Sequence, residues 1–489
     1  MDEKTTKRNL LMFPLGTVGR DMVYALVTNY LLTFVLFTHK LTAGQLAAIT
    51  GIMIAARVFD ALNDPIMGNI IEHTHSKYGK FKPWLLIGVL STSVVIYLLF
   101  NIRLQGWSFV IFFGVMYFLY SITYTMNDIS YWGMVPALSS DANERNQFTS
   151  RATLCSGIGG TLASILIPLL TTGALALGGN AEFAYGRVAL IIALLTPAFL
   201  CFTLFGARER RDAAPEKQDK FSFAEVFKVI ARNDQLVWVS AIFLIQQVAN
   251  GIVLGGIGST YIYFTFGYEG GLYSLFTMIG MSATAFLMIF YPAISRKINR
   301  KPLMKLMMII SATGYAVNFL AGMIPGSGMP KFAGVVIGYM LSNFGQYCFY
   351  LIMMISIINT VEYNEYKFGT RDEAIITSLR PFITKMGSAL VVAFTSVAYI
   401  IFGVTGVTNQ ISTLEQQCNQ KVITEVQKSE AIAELLKGVG NGQSIALLVS
   451  MTVIPCVLMF ISYILYKKKY ILDEDEYNRI CKEINEKEN

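Results

Sequence analysis

Charged residues are scarce in this sequence. Asp, Glu, Lys and Arg make up 15% of the 489 residues, and hydrophobic residues make up 54%, whereas a soluble globular chain carries about 25% charged residues. The mean hydropathy is +0.51. This balance excludes an ordinary soluble domain and indicates an integral membrane protein.

Histidine and cysteine are also sparse. The three histidines, His39, His73 and His75, are all predicted in loops or at helix ends, which excludes a histidine proton relay inside the membrane. The six cysteines are scattered, and only Cys418 falls in a segment predicted outside, so neither a disulfide framework nor a metal site is indicated. The HExxH, Walker A and GxSxG motifs are absent, so the sequence does not predict an enzyme.

Long apolar runs dominate instead. A helix needs about 20 residues to cross the hydrocarbon core, and the runs are about that length or longer, so they predict helices and exclude barrel strands. The sequence predicts an all-α membrane protein with twelve transmembrane helices. They begin near Leu10, Gln45, Pro83, Trp107, Phe148, Val188, Leu236, Leu272, Leu306, Phe332, Ala374 and Ser444.

The distribution of basic residues predicts the orientation. Of the 39 Lys and Arg residues, 27 fall in the segments on one side of the twelve spans and 7 on the other. Because basic loops stay in the cytoplasm, both termini are predicted to be cytoplasmic and the protein to be multi-pass in the cell membrane. The net charge of +7 is explained in this way, and no nucleic-acid partner is predicted.

The most basic loop divides the spans into two groups of six. A faint repeat links the halves, since "KYGKFKPW" (77–84) is echoed by "RKINRKPLM" (296–304). Together these features predict two pseudo-symmetric six-helix bundles, the major facilitator fold, in which substrate binds near the midplane. The predicted organisation is an N-terminal bundle (1–206), a central cytoplasmic loop with an amphipathic helix (207–235), a C-terminal bundle (236–470) and a cytoplasmic tail (471–489). The long outer segment, residues 405–443, contains a predicted short helix of no assigned function.

Nine charged residues lie inside predicted spans, and each would cost about 2.5 to 3.5 kcal/mol if isolated in lipid. They are therefore predicted to pair or to share a polar cavity. The residues are Arg20, Asp21, Arg57, Asp60, Asp64, Asp128, Arg151, Arg380 and Lys385. At about 1.5 Å rise per residue, Asp21, Asp60, Asp64, Asp128 and Lys385 share one layer, whereas Arg151 and Arg380 lie nearer the inner surface.

Three of these charges follow one face of the second span. Arg57, Asp60 and Asp64 are spaced i, i+3 and i+7. The two acids, one turn apart, repel unless a cation lies between them, which suits Na⁺ or Li⁺ with their preference for oxygen ligands, or a proton shared by the pair. Asn63 adds an amide oxygen. The alternative is that Arg57 pairs with Asp60 only to hold helices together.

The fourth span carries a polar and aromatic stripe made of Tyr124, Thr125, Asp128 and Trp132. An indole beside a carboxylate suits a sugar, because the C–H face of the sugar stacks on Trp132 while Asp128 accepts hydroxyl hydrogen bonds. Asp21 can accept further hydroxyls, and Arg20 or Arg151 can balance the charge. This pattern predicts a sugar site.

Several long motifs in one order carry a resemblance to a known family. The chain resembles the glycoside-pentoside-hexuronide:cation symporters of the major facilitator superfamily, and the resemblance runs through nearly all the spans. The motifs are "GRDM" (19–22), "ARVFDALNDPIMG" (56–68), "YGKFKPW" (78–84), "TYTMNDISYWGMVP" (123–136), "RNDQL" (232–236), "NTVEYNEYKFGTRDE" (359–373) and "TKMGSA" (384–389).

The resemblance implies a role for each residue of the sugar site. Asp21 and Asp128 would hold sugar hydroxyls, Trp132 would stack on the sugar, and Arg20 and Arg151 would line the site.

The resemblance also implies a separate cation site. Asp60 and Asp64 would bind the coupling cation with Asn63 and Thr125. Lys385 would lie beside this site and link it to the C-terminal half of the chain. Arg57 is predicted to take part in coupling together with Lys385.

The chain departs from the type member of the family at several positions. Arg20 replaces a lysine, Tyr350 replaces a tryptophan, Arg380 replaces a glutamine, and the spacing from Arg145 to Arg151 is shorter. Tyr350 and Arg380 are therefore included in the predicted sugar site. An added buried cation would suit an anionic or differently shaped substrate.

The sequence thus predicts cation-coupled symport of a glycoside or related sugar by alternating access. The coupling cation is Na⁺, Li⁺ or H⁺, and no other cofactor is predicted. The expected partners are a small sugar, a monovalent cation and the lipid bilayer. Two alternatives remain open: transport of an amphiphilic lipid, which a strongly apolar cavity would favour, and a membrane sensor that binds sugar without moving it.

Overall fold

A computed structural model describes residues 3–74, 76–139, 141–209, 223–295 and 297–488. These residues form nineteen α-helices and three short π-helical segments, with no strand among them. The helices are α1 (Glu3–Ala25), α2 (Leu31–Thr38), α3 (Ala43–Glu72), α4 (Lys82–Asn101), α5 (Gly106–Leu138), α6 (Ala142–Thr171), α7 (Ala181–Cys201), α8 (Phe223–Arg232), α9 (Asp234–Ile252), α10 (Gly258–Phe266), α11 (Gly270–Ser295), α12 (Arg300–Gly322), α13 (Met329–Ile358), α14 (Thr360–Phe368), α15 (Glu373–Ile401), α16 (Val404–Asn419), α17 (Glu425–Lys437), α18 (Asn441–Lys469) and α19 (Glu474–Glu488).

The all-α membrane prediction is confirmed. Within the described part of the chain, 11 helical segments are long and apolar enough to cross a membrane. Three of them include a π-helical segment, such as Leu26–Tyr30, which joins α1 to α2. Each predicted span start falls within one of the helices. The span predicted near Leu272 corresponds to α11, which has 26 residues but is not among the 11, so the count of twelve stays a prediction.

The chain folds as two compact units. The first contains α1 to α7, the short segment Gly267–Leu275 and the outer segment Tyr399–Val439, and the second contains α8 to α10, most of α11 and α15, α12 to α14, α18 and α19. Most of the predicted outer segment, up to Val439, therefore belongs to the first unit, although the chain enters it from α15. The bundle boundaries predicted from the sequence, 1–206 and 236–470, stay a prediction.

In the first unit, α1 packs against α6 and α7, and α5 packs against α3 and α4. The sequence explains the close packing of α1. A Cβ on Gly19 would lie 2.5 Å from the Cα of Thr196 on α7, so only glycine permits this approach. The Thr196 hydroxyl donates to the Gly19 carbonyl at 3.1 Å. This bond holds α1 against α7 next to Arg20, the residue that follows Gly19.

The helices α16 and α17, here called the outer cap, dock on the ends of α2 and α7. Asn409 exchanges two hydrogen bonds of 2.8 Å with the backbone of Leu41. Lys428 forms an ion pair of 3.2 Å with Glu415, and both side chains are more than nine-tenths buried. Glu415 also accepts from the backbone N–H of Ala181 at 2.8 Å. Burial raises the pKa of Glu415, and Lys428 opposes that rise.

In the second unit, α12 packs against α13 and α18, and α9 packs against α13 and α18. The predicted tail contains α19. Two ion pairs hold the start of this helix to the start of α12, Arg300 to Glu474 at 2.8 Å and Lys301 to Asp473 at 2.9 Å.

The predicted central loop, 207–235, lies partly outside the described residues. Within it, α8 forms where an amphipathic helix is predicted.

Candidate functional site

A charged triad joins α1 to α5 in the first unit. Arg20 donates to Asp21 through Nε at 3.1 Å and Nη2 at 2.8 Å, and its Nη1 lies 3.0 Å from Oδ1 of Asp128. The Arg20 side chain is 5% exposed, while the two acids are 17% and 36% exposed. One buried guanidinium is therefore shared by two acids that keep accessible surface, as a site for a hydroxylated ligand requires.

Aromatic rings surround this triad. The Arg20 guanidinium lies 5.0 Å from the ring centroid of Tyr131 and 5.3 Å from that of Trp132, distances typical of cation–π contact. Tyr131 is fully buried and donates to the Phe13 carbonyl at 2.7 Å, so it is a packing residue that holds Arg20. Trp132 is only half-buried, which leaves indole surface for a ligand.

The Tyr124 ring continues this aromatic group toward the N-terminal end of α5. It lies 5.8 Å from Tyr24 on α1 and 5.5 Å from Tyr120 on its own helix, measured between ring centroids. The structure therefore brings Arg20, Asp21, Tyr124, Asp128 and Trp132 together, in the arrangement that the sequence predicts for a sugar.

A second polar cluster joins α3 to α5. Asp60 forms an ion pair with Arg57, 3.4 Å between Oδ2 and Nη1, and accepts a hydrogen bond from Ser121 at its other oxygen, Oδ1. Asp64 accepts from Thr125 at 3.1 Å. The acids are one turn apart on α3 and the hydroxyls are one turn apart on α5, so the two helices present two carboxylate–hydroxyl pairs in register.

Ser121 is the member of this cluster that the sequence analysis missed. It is 5% exposed and lies four residues before Thr125, the same spacing as Asp60 to Asp64. That matched spacing is the only signal in the sequence, and serine is common in membrane helices. Asn63, which the sequence analysis assigned to the cation site, is 8% exposed, and its Nδ2 has no hydrogen-bond partner among the described residues.

Arg151 lies elsewhere in the first unit. It is exposed and its Nη1 donates to the Leu10 carbonyl at 3.3 Å. Leu10 precedes Asp21 by about 16 Å along α1. The position agrees with the shallow depth expected for Arg151, and its role in sugar binding stays a prediction.

The remaining predicted site residues belong to the second unit. Arg380 on α15 is exposed and its Nη2 contacts the hydroxyl of Tyr350 on α13 at 3.4 Å. Lys385 is half-buried on α15. The structure thus brings Tyr350 and Arg380 together, while the coupling role of Lys385 stays a prediction.

A family model described as MFS/sugar transport protein matches residues 12–427 of the chain. The chain belongs to this family. A lactose permease of Lactobacillus helveticus is 27% identical over 97% of this chain and 71% of the relative. A raffinose carrier protein of Pediococcus pentosaceus is 27% identical over the same shares of the two chains.

Solved structures agree with the family. A bacterial homologue of the human lysosomal transporter Spinster superimposes with a TM-score of 0.62 at 13% identity, covering 95% of this chain and 98% of the other. At that identity the likeness concerns the fold alone. The predicted major facilitator fold and the resemblance to the glycoside-pentoside-hexuronide:cation symporters are both confirmed.

Family membership identifies this chain as a multi-pass membrane transporter of sugars. The relatives named above are a permease and a carrier. No group of three or more His, Cys, Asp or Glu residues suited to a metal ion occurs in the described part of the chain.

Proposed function

We propose that this protein imports a neutral oligosaccharide across the cell membrane together with a monovalent cation. The observation that carries the proposal is that α5 belongs to both clusters. Its Asp128 closes the charged triad, and its Thr125, about one turn away, bonds Asp64. A change at one cluster therefore moves a helix that forms the other.

The charge of the triad argues for a neutral sugar. A buried cation at Arg20 would attract an anionic substrate only if its charge were not already compensated. Arg20 is engaged by Asp21 and by Asp128, so the triad carries a formal charge of −1. An anionic sugar would meet repulsion there, whereas sugar hydroxyls would donate to the two acids.

The relatives narrow the class of sugar. One is named for lactose and another for raffinose, and both of these sugars carry a galactosyl group. We therefore propose a galactose-containing oligosaccharide as substrate. Trp132 would stack on its apolar face, as indole rings do with C–H surfaces.

The acid pair and its hydroxyl partners would take the cation. Carboxylate and hydroxyl oxygens suit Na⁺ and Li⁺, and a proton could instead neutralise one acid of the pair. Arg57 already offsets part of the charge on Asp60. Asn63 would supply a further oxygen.

Coupling requires that the cation bind one conformation better than another. A cation at the acid pair would draw α3 and α5 together through Ser121 and Thr125, and would so favour the arrangement of α5 in which Asp128 and Trp132 accept sugar. By linkage, sugar would raise the affinity for the cation by the same factor.

Both termini are proposed to be cytoplasmic because 27 of the 39 basic residues lie on their side of the spans. In a variant whose six native cysteines are replaced by serine, a cysteine added to the tail should be labelled by an impermeant maleimide in inside-out vesicles only. Labelling of that variant in right-side-out vesicles would contradict the orientation.

Uptake by proteoliposomes tests the proposal. Labelled lactose and raffinose are offered under separate Na⁺, Li⁺ and pH gradients, with glucuronide as the anionic comparison. Uptake of a neutral sugar that one gradient accelerates supports the proposal. Equal uptake with and without each gradient would contradict cation coupling. Saturable sugar binding without counterflow would indicate a sensor instead of a transporter.

A further inference from the structure

An open pocket in the second unit lies where α12 begins and α18 ends. Its volume is about 350 Å³, within the range of about 300 to 1,000 Å³ that is usual for sites that bind small molecules. Of the six described residues that line it, three are lysines and none is acidic: Lys301, Pro302, Lys305, Tyr463, Tyr466 and Lys467. The pocket therefore presents positive charge to a ligand.

Two of the three lysines have no compensating acid. Lys301 pairs with Asp473 at 2.9 Å. Within the described ranges of the chain, neither Lys305 nor Lys467 forms an ion pair, and both side chains are exposed. An anion in the pocket would therefore meet two ammonium groups, one from each helix, that are free to donate hydrogen bonds.

The repeat noted in the sequence indicates that the fold does not require these lysines. In the matching segment of the first half, "KYGKFKPW" (77–84), the lysine of the Lys-Pro pair is Lys82. Its Nζ donates to two backbone carbonyls just beyond α7, at 2.8 Å each, so it closes a helix end. Four residues later the first half has Leu86, where the second half has Lys305. The second lysine on α12 is therefore specific to the second unit.

Both helices change from charged to apolar at this pocket. α18 has no charged residue before the three lysines of its last turn, and α12 has none after Lys305. Lysines at the ends of apolar helices lie where the hydrocarbon core meets the headgroups, because the ammonium group stays in the polar layer. The pocket is therefore expected at the depth of lipid phosphates.

An exposed apolar surface continues from each lysine into the membrane-spanning part of its helix. Ile309, one turn after Lys305, is 54% exposed, and Phe460, two turns before Lys467, is 52% exposed. These spacings put each apolar residue on the same helix face as its lysine. A free phosphate ion would contact only the lysines, whereas a phospholipid would contact the lysines and the apolar surface together.

We propose that this pocket binds one anionic phospholipid, with its phosphate between Lys305 and Lys467 and its acyl chains along α12 and α18. Hydrogen bonds from ammonium groups to phosphate oxygens are charge-assisted and strong, and basic pockets between transmembrane helices suit anionic headgroups. Tyr463, which is half-buried in the wall, can donate a further hydrogen bond. The site belongs to the second unit, so it does not depend on the sugar and cation clusters of the first.

Native mass spectrometry of delipidated protein in a neutral detergent tests the proposal. The Kd of the first bound lipid is measured with phosphatidylglycerol and with phosphatidylcholine, and the wild type should prefer phosphatidylglycerol. Lys305→Gln/Lys467→Gln should raise the Kd for phosphatidylglycerol about 25-fold, since each basic side chain near an anionic lipid contributes about fivefold. Lys305→Arg/Lys467→Arg keeps both charges and should bind like the wild type. Because both lysines are exposed, the fold should persist in each variant.

The matched control compares Lys467→Gln with Lys468→Gln. Lys468 is exposed in the same turn but does not line the pocket, so its replacement should leave the Kd near the wild-type value, while Lys467→Gln raises it. An equal change in the two variants, or equal Kd values for the two lipids in the wild type, overturns the proposal. Displacement of the first phosphatidylglycerol by millimolar inorganic phosphate would assign the pocket to a free phosphate compound and would also overturn it.

Discussion

Arg20 on α1 pairs with Asp128 on α5, with 3.0 Å between Nη1 and Oδ1. The pair ties the first helix of the chain to the helix that also carries Ser121 and Thr125. The proposed sugar cluster and the proposed cation cluster thus share α5, which we propose as the route by which one would sense the other.

Replacing Arg20 by leucine should leave two neighbouring acids without their cation. We expect a loss of about 2 kcal/mol in unfolding free energy, less than the 3 to 5 kcal/mol of a fully buried pair because the acids retain accessible surface. Thermal unfolding in detergent measures the loss, and the double variant Arg20→Leu/Asp128→Asn should recover part of it.

The control for that experiment is Arg151→Gln. Arg151 is exposed and bonds a backbone carbonyl, so its loss should change stability by less than about 0.5 kcal/mol. A similar loss in both variants would mean that the triad has no special energetic role.

Trp132→Ala should abolish saturable sugar binding, because it removes the stacking surface beside Asp128. Trp132→Tyr keeps an aromatic ring and should retain measurable binding with a higher Kd. Equilibrium binding of labelled lactose measures both. Since the indole is half-buried, the fold should persist in both variants, and unimpaired binding in Trp132→Ala would place the sugar elsewhere.

Ser121→Ala should weaken cation binding, because Asp60 loses the hydroxyl that bonds it. A reduction of about fivefold in Na⁺ affinity is expected from one hydrogen bond, and Ser121→Thr should restore it. Calorimetric titration with NaCl at constant ionic strength provides the measurement. The control is Ser130→Ala, which changes another buried serine of α5. Equal Na⁺ affinity in the wild type and in these three variants would show that Ser121 does not contribute to the cation site.

Lys428→Met should destabilise the outer cap. Glu415 is 1% exposed and would be left buried without its cation, which typically costs about 3 to 5 kcal/mol. Limited proteolysis between α15 and α18 measures the loosening. Lys437→Met is the matched control, because its ion pair with Glu434 is exposed on both sides and contributes little. Equal protection in the two variants would contradict the docking.

Pairing of the charged residues inside the spans was predictable because an isolated charge in lipid is costly, and Arg20 does pair with Asp21 and Asp128. The single layer of charge that includes Lys385 stays a prediction. The pairing of Arg57 with Asp60, stated as the alternative to a cation site, is also present. This ion pair offsets part of the charge on Asp60, while Asp64 accepts from Thr125, so the ion pair and the proposed cation site are compatible.

Other features had little or no signal in the sequence. Ser121 is an ordinary residue in a membrane helix, and only the geometry shows that it bonds Asp60. The docking of the outer cap on the first unit could not be read from chain order, because the chain enters it from α15 and leaves it toward α18.

The most direct test of the account is the Kd for lactose, measured with increasing Na⁺ in the wild type and in Asp64→Asn. The account predicts that Na⁺ lowers the Kd for lactose in the wild type and leaves it unchanged in Asp64→Asn. If Li⁺ or H⁺ is the coupling ion, that ion should have the same effect in its place. The same dependence on the ion in both proteins would contradict the claim that the acid pair couples a cation to the sugar site through α5.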